Sequence, residues 1–271
     1  GTVDYIVLDP GGTLVDFRPY RKAKAVLSLW AGVEVFLGNT TLTQPLARMV
    51  DPAMTRGMTE YVIAHVMRHH VGMDRHIHGL KGRWQQDVPK LAPERAVTIL
   101  GMGELGQAAA RALTGLGFPV TGWGRTAKEI DGLARNFSGP ETLDDALTGA
   151  EIVVILLPRT PETENLINAA RLARLAPGAA LINAARGPII VDTDLLNALD
   201  SGHLGHATLD VFRVEPLPKD HPFWHHPKVT VTPHVAAATR PTTAAQAVAD
   251  NIARAEAGLP LLNTVDRSRG Y

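Results

Sequence analysis

The 271-residue chain has no cysteine, which excludes disulfides, thiolate nucleophiles and cysteine-held zinc or iron–sulfur groups. It also lacks net charge, since 27 Lys and Arg balance 27 Asp and Glu. With no basic block to track phosphates, nucleic acid is not an expected partner. No apolar run reaches the length of a membrane span, and no secretory leader precedes the first apolar strand of the sequence as given. A cytoplasmic protein without a membrane partner is expected. One absence is local: no acidic residue closes the strand that follows the glycine-rich turn, at Gly124, Arg125 and Thr126.

Hydrophobic residues make up 45% of the chain, enough at this length for the cores of two domains. Residues 3–8 and 23–29 read as buried strands. Residues 59–70, with apolar Val62, Ala64, Val66 and Met67, read as a helix leading out of this first region. From residue 95 onward strand and helix alternate. Strands are expected at 96–100, 119–123, 151–156, 179–183, 205–209 and 228–231, and helices at 105–116, 163–175 and 192–199. Short apolar strands joined by crossover helices imply a parallel sheet. Pro241 opens a last helix whose stripe of Ala245, Val248, Ala249 and Ile252 needs a surface, best supplied by the first region. The expected organisation is a substrate domain over 1–70, a dinucleotide-binding domain over 71–238, and a C-terminal helix and tail over 239–271 returning to the substrate domain.

Residues 97–106 read VTILGMGELG, a strand followed by glycines with separate tasks. Gly101 makes the tight turn, Gly103 lets backbone approach a pyrophosphate, and Gly106 allows close packing of helix on strand. The amides that begin the helix at Glu104 and Leu105 would face the anion. An acid after the next strand would bind both ribose hydroxyls and repel a 2′-phosphate. Gly124 removes that repulsion, Arg125 offers a fork of donors unless it merely points into water, and Thr126 adds a hydroxyl. NADPH is therefore expected in preference to NADH.

Three later segments place polar groups at strand ends. A carbonyl that accepts hydride needs a proton donor, an anchor for a neighbouring carboxylate and positive charge near the developing oxyanion. Arg186, in Asn183-Ala184-Ala185-Arg186-Gly187, supplies permanent charge, or else holds its own loop. Asp210 and Glu215 follow the next strand. His234, in Thr232-Pro233-His234, titrates near neutrality, and Glu215 is a candidate to hold its far nitrogen. Metal binding is not expected. His65, His69, His70, His76 and His78 cluster, as do His221, His225 and His226, but no glutamate stands in an HExxH arrangement. Residues 9–16, DPGGTLVD, resemble the DxDGTL motif of haloacid-dehalogenase-type phosphatases, yet Gly11 stands where that motif has its leaving-group acid.

These linked segments resemble the D-isomer-specific 2-hydroxyacid dehydrogenases, and among them the bacterial glyoxylate/hydroxypyruvate reductase A branch. The resemblance runs from about Val3 to the terminal VDRSRGY. It implies an α/β protein with a Rossmann-type parallel-sheet cofactor domain and a smaller flavodoxin-like substrate domain, of which a first strand and helix would precede this sequence. It also implies reduction of glyoxylate to glycolate and of hydroxypyruvate to glycerate by hydride transfer from NADPH. By resemblance Arg186 binds the substrate, Glu215 pairs with the catalytic histidine, His234 donates the proton, and Asp210 positions the nicotinamide carboxamide. Leu157, Pro158 and Thr160 match the loop that passes along the cofactor, which Ala184, Arg186 and His234 also border. The segment LWAGVE resembles the substrate loop, with Gly32 and Val33 amides for the carboxylate and Glu34 in place of the usual aspartate. Trp84 matches a tryptophan that approaches the neighbouring subunit's site, and a homodimer through the cofactor domain is implied. Two rival readings stay open: a related dehydrogenase for bulkier 2-oxo acids or for NADH, and a nucleotide-sensing binding protein or corepressor without catalysis.

Overall fold

The computed structural model describes residues 3–267 and 270, so the end of the VDRSRGY motif, at Ser268, Arg269 and Tyr271, lies outside the described residues. The chain divides into two compact units, Gly1–Thr55 with Ala238–Tyr271, and Arg56–Ala237.

The smaller unit is built on three parallel strands, β1 (Tyr5–Leu8), β2 (Ala25–Ser28) and β3 (Leu46–Ala47), paired in that order. Strand β2 is central and buried at every position, as its unbroken apolar run requires when both faces are covered. Phe17, Phe36, Leu42 and Leu46 pack in one core of this unit, and Ala25, Leu27 and Ala47 anchor another. Strand β3 has only two residues, too few to show a period in sequence. Residues 9–12 form a turn in which Asp9 Oδ1 accepts the Gly11 amide at 2.7 Å.

Helix α1 (Pro52–His70) is capped by Asp51, whose Oδ1 accepts the amides of Ala53 and Met54 at 2.8 and 3.1 Å. Its Met58, Val62 and Val66 are buried in a core of the larger unit. The boundary consequently falls between residues 55 and 56 rather than after residue 70. The apolar stripe that marks the helix is also what assigns it to the larger unit. A short α2 (Met73–Ile77) follows.

The larger sheet contains β4 (Val97–Leu100), β5 (Val120–Gly124), β6 (Arg135–Ser138), β7 (Ile152–Ile155), β8 (Ala179–Asn183), β9 (Leu204–Leu209) and β10 (Val229–Val231). Their order is β10-β9-β8-β7-β4-β5-β6, with every pair parallel. The chain runs outward from β4 in one direction and then restarts beside it at β7. That reversal of strand order leaves a crevice at the carboxyl ends of the strands, where ligands bind in such sheets. Strand β6 was not expected, because Arg135, Asn136 and Ser138 give an edge strand no apolar pattern.

Four helices connect these strands: α3 (Glu104–Gly115), α4 (Leu143–Leu147), α5 (Ala169–Leu172) and α6 (Asp192–Asp200). The helix expected over 163–175 shrinks to α5. Thr163 turns its hydroxyl onto the Pro158 carbonyl at 2.8 Å, Asn165 adopts φ 55°, and Asn168 caps the Arg171 amide. Helix α7 (Pro241–Glu256) returns to the smaller unit, where Val248 and Ile252 pack on Ala25, Leu27 and Ala47. Its buried side carries Ala244 and Asn251, while Ala245 and Ala249 are exposed, so the expected stripe is rotated. Asn251 belongs inside because its Oδ1 accepts the Leu262 amide at 2.7 Å. Among the described residues no helix is long and apolar enough to cross a membrane.

Candidate active site

Strand β4 runs into Gly101, at φ 109°, where a Cβ would stand 2.5 Å from the Leu156 carbonyl oxygen. At Gly106 a Cβ would lie 1.9 Å from the Gly101 oxygen, so α3 rests directly on the turn. Gly103 differs: a Cβ there would meet nothing within 4 Å. As the N-cap of α3 it has no side chain to satisfy the amides of the first turn. Glu104 and Leu105 follow, and an open, uncapped helix start suits a pyrophosphate.

Strand β5 ends at buried Gly124, and Arg125 and Thr126 emerge exposed. Arg125 lies close enough to Glu162 to act on it. A hydrogen bond with Thr160, and in smaller part the Arg125 charge, hold the Glu162 carboxyl below its ordinary range. The structure brings a further cation to this turn. Lys128 donates its Nζ to the Met102 carbonyl at 2.9 Å, which brings a second positive charge to the glycine turn. Two cations within four residues of a strand end, in GRTAK, were the available signal. After β7, Leu157 is buried and Pro158 and Thr160 are half-buried. The Thr163 hydroxyl fixes this loop by accepting the Thr160 amide at 2.8 Å and donating to Pro158.

The polar groups expected at the next three strand ends meet. His234 Nδ1 is 2.7 Å from Glu215 Oε2, and the Glu215 carboxylate is itself fixed because Oε1 accepts the Phe212 amide at 2.8 Å. Burial alone would raise the Glu215 carboxyl, yet the bonds from His234 and Phe212 hold it below its usual range. The hydrogen bond to Glu215 raises the His234 pKa against the opposing effects of burial and the Arg186 charge. With Nδ1–H committed to Glu215, Nε2 is the nitrogen left to exchange a proton. Arg186 is half-buried, and its Nη1 donates to the Ala185 carbonyl at 2.6 Å. Its loop is held by Asn183, which donates to the Arg186 carbonyl and accepts the Ala185 amide, both at 3.1 Å. Ala184 is buried at the end of β8.

Asp210 is 1% exposed. Its Oδ1 accepts the Thr232 hydroxyl at 2.6 Å and the Val235 amide at 2.9 Å, and Oδ2 accepts the Ala236 amide at 3.0 Å. The Asp210 backbone carbonyl takes the His234 amide at 2.8 Å. His234 has φ 53°, a left-handed conformation that few residues with a side chain adopt. The segment after β10 is thus wrapped around this aspartate.

In the smaller unit Val33 turns its side chain into the core at 2% exposure, and Gly32 before it is half-buried. Trp84, in an irregular stretch after α2, is 92% exposed. His69 and His206 flank Asp74 at 3.7 Å each, and burial pushes both imidazoles down, His69 to about 3. Asp74 takes its charge partner from Arg68 at 2.7 Å. Among the described residues no group of three or more His, Asp or Glu could hold a metal ion.

A glycine turn at the switch point of a parallel sheet, with a His–Glu pair and an arginine on neighbouring strand ends, defines a dinucleotide-binding domain equipped for acid/base chemistry. Residues 61–236 match the family model for the NAD-binding domain of D-isomer specific 2-hydroxyacid dehydrogenases, and the chain belongs to that family. A glyoxylate/hydroxypyruvate reductase A of Serratia proteamaculans is 42% identical over 258 residues, covering 92% of this chain and 82% of the relative. A D-isomer specific 2-hydroxyacid dehydrogenase from Xanthobacter autotrophicus, solved with NADPH and MES, is 44% identical with a TM-score of 0.95, covering 99% of this chain and 85% of that one. An NADPH-dependent glyoxylate/hydroxypyruvate reductase from Sinorhizobium meliloti, solved with NADP and sulfate, is 39% identical with a TM-score of 0.93 and covers 99% and 86%.

Proposed function

We propose that this protein is an NADPH-dependent reductase of small 2-oxo acids, turning glyoxylate into glycolate and hydroxypyruvate into glycerate. The observation that carries the reading is the 2.7 Å pair of His234 and Glu215 on the strand ends next to Arg186. Relatives named for this activity support it.

The residues fit the cofactor: Gly103 leaves an open cradle, Glu104, Leu105 and Gly106 begin the helix, and Gly124 stands where an acid would oppose a 2′-phosphate. Arg125, Thr126 and Lys128 are assigned to that phosphate, and Leu157, Pro158, Thr160 and Ala184 to the cofactor's course along the strand ends. Asp210 is assigned to the nicotinamide carboxamide through Oδ2, which also accepts the Ala236 amide. When bound, NADPH supplies the hydride that the carbonyl carbon of the substrate receives. Arg186 binds the substrate carboxylate and polarises the carbonyl. The Gly32 and Val33 amides are assigned to substrate on the flavodoxin-like unit by itself. His234 gives its Nε2 proton to the carbonyl oxygen, and Glu215 stabilises the imidazolium beforehand. The pKa of His234 is raised, so it stays protonated past the pH at which an ordinary histidine loses its proton.

The partner assigned to Trp84 is a second copy of this chain. Exposed Met73, Ile77, Trp84, Val88 and Leu91 lie in one stretch of the cofactor domain. Light scattering should give the mass of two chains, and a single-chain mass removes the dimer. A cytoplasmic location completes the reading.

The test is a panel of glyoxylate, hydroxypyruvate, pyruvate and phenylpyruvate, each with NADPH and NADH. Glyoxylate and hydroxypyruvate should be reduced best. NADPH should be favoured by about tenfold or more in kcat/KM, the worth of one good charge-assisted contact. Equal efficiency with NADH overturns the cofactor assignment, a preference for phenylpyruvate overturns the substrate assignment, and NADPH binding without turnover points to a sensor.

A further inference from the structure

His234 holds its left-handed backbone without the freedom of a glycine, so neighbouring groups must supply the constraint. Asp210 gathers the Thr232 hydroxyl and the Val235 and Ala236 amides, which bracket His234 on both sides. Behind Thr232 stands Tyr61 on α1, its hydroxyl 2.8 Å from Thr232 Oγ1. The single Thr232 hydroxyl proton goes to a carboxylate that only accepts, so the Tyr61 hydroxyl is the donor in that pair. The chain of bonds runs one way, from Tyr61 to Thr232 to Asp210. Its origin is rigid, because Met58 and Val62 on either side of Tyr61 are buried in the core of the same unit.

We propose that Tyr61 and Thr232 are positioning residues for the proton-transfer step, acting through Asp210 to hold the His234 backbone in the conformation that aims Nδ1 at Glu215. This rests on the reading of His234 as proton donor of a 2-oxo acid reductase. Burial, and in smaller part the Asp210 charge, push the Tyr61 phenol up to about 12, so it remains a donor throughout the working range. Arg68 is the other charge acting on Tyr61. The charged groups acting on His234 are Glu215, Arg186 and Asp210. Loosening the wrap around Asp210 lengthens the Glu215 contact, and the His234 pKa then falls toward that of an ordinary histidine.

The test compares Thr232→Val, Thr232→Ser and Tyr61→Phe with the parent protein in three readouts: kcat against pH, NADPH affinity by fluorescence, and the His234 titration by NMR without cofactor. Thr232→Val should lower kcat about tenfold, since small misplacements of a reacting group cost one to two orders of magnitude. Tyr61→Phe should cost about threefold, because Thr232 still donates to Asp210. NADPH affinity should fall less than kcat in both, with the His234 pKa shifted down. Thr232→Ser keeps the hydroxyl and should restore kcat and the pKa. The proposal is overturned if Thr232→Val keeps the parent kcat and His234 titration, if Thr232→Ser is as slow as Thr232→Val, or if NADPH affinity falls in step with kcat. A parent protein that reduces no 2-oxo acid refutes the functional reading alone, and the NMR titration still decides whether Tyr61 and Thr232 position His234.

Discussion

Two loops on the same edge of the larger sheet turn through left-handed backbone, and they reach it by opposite means. At Gly101 the turn has φ 109° with no side chain to object. At His234 the angle is 53° and an imidazole is attached. Left-handed backbone costs a residue with a Cβ roughly 1–2 kcal/mol. A hydrogen bond to a charged group contributes about 1.5–3 kcal/mol, and Asp210 accepts three. The clamp therefore outweighs the strain. The first loop is shaped by what has been removed, so backbone can approach a ligand, and the second by what has been added, so one side chain is aimed.

The largest effect breaks the second loop at its tip. His234→Ala should lower kcat by about 10²- to 10⁴-fold, the usual worth of a general acid, with NADPH binding little changed. In the parent protein, reduction should decline as pH rises through the raised His234 pKa, since the protonated form is required, while oxidation of the 2-hydroxy acid should gain over the same interval. The alanine variant should lose this transition. Near-parent turnover in stopped flow would remove His234 from the role.

The first loop should break by crowding instead. Gly106→Ala sets a methyl 1.9 Å from a backbone oxygen, and overpacking that cannot relax costs about 3 kcal/mol, a fall in Tm on the order of 10 °C for a unit of this size. Gly103→Ala is the smallest and sharpest of the set. It meets nothing within 4 Å, so Tm should hold within about 2 °C while NADPH affinity drops. An unchanged affinity in Gly103→Ala would mean that the open side of the turn does not face the pyrophosphate.

The same contrast explains what the sequence made legible. Gly101, Gly103 and Gly106 stand at fixed offsets, and Arg186, Glu215 and His234 follow apolar runs, so both sets stand out as candidates from pattern alone. Asp210 stands out as a candidate as well, but not its grip on Val235 and Ala236, because its partners include main-chain amides that no residue letter encodes. Tyr61 and Lys128 were passed over for a related reason: each works through a contact across the fold, to Thr232 and to the Met102 carbonyl. The boundary after residue 55, the polar edge strand β6 and buried Asn251 on α7 all depend on a partner surface. Hydrophobic periodicity cannot see which surface a stripe meets, nor an amide that earns burial by bonding a neighbouring strand of backbone.

The missing acid at the end of β5 has a consequence beyond recognition. A 2′-phosphate leaves the redox potential of the nicotinamide ring unchanged, so Gly124, Arg125 and Thr126 alter neither the bond being made nor its intrinsic driving force. On the proposed 2′-phosphate assignment they select which of two reductant pools the reaction is connected to. A pool kept mostly reduced pushes the carbonyl toward the alcohol, so on that assignment three residues at and just beyond the end of β5 set the direction in which this catalyst runs.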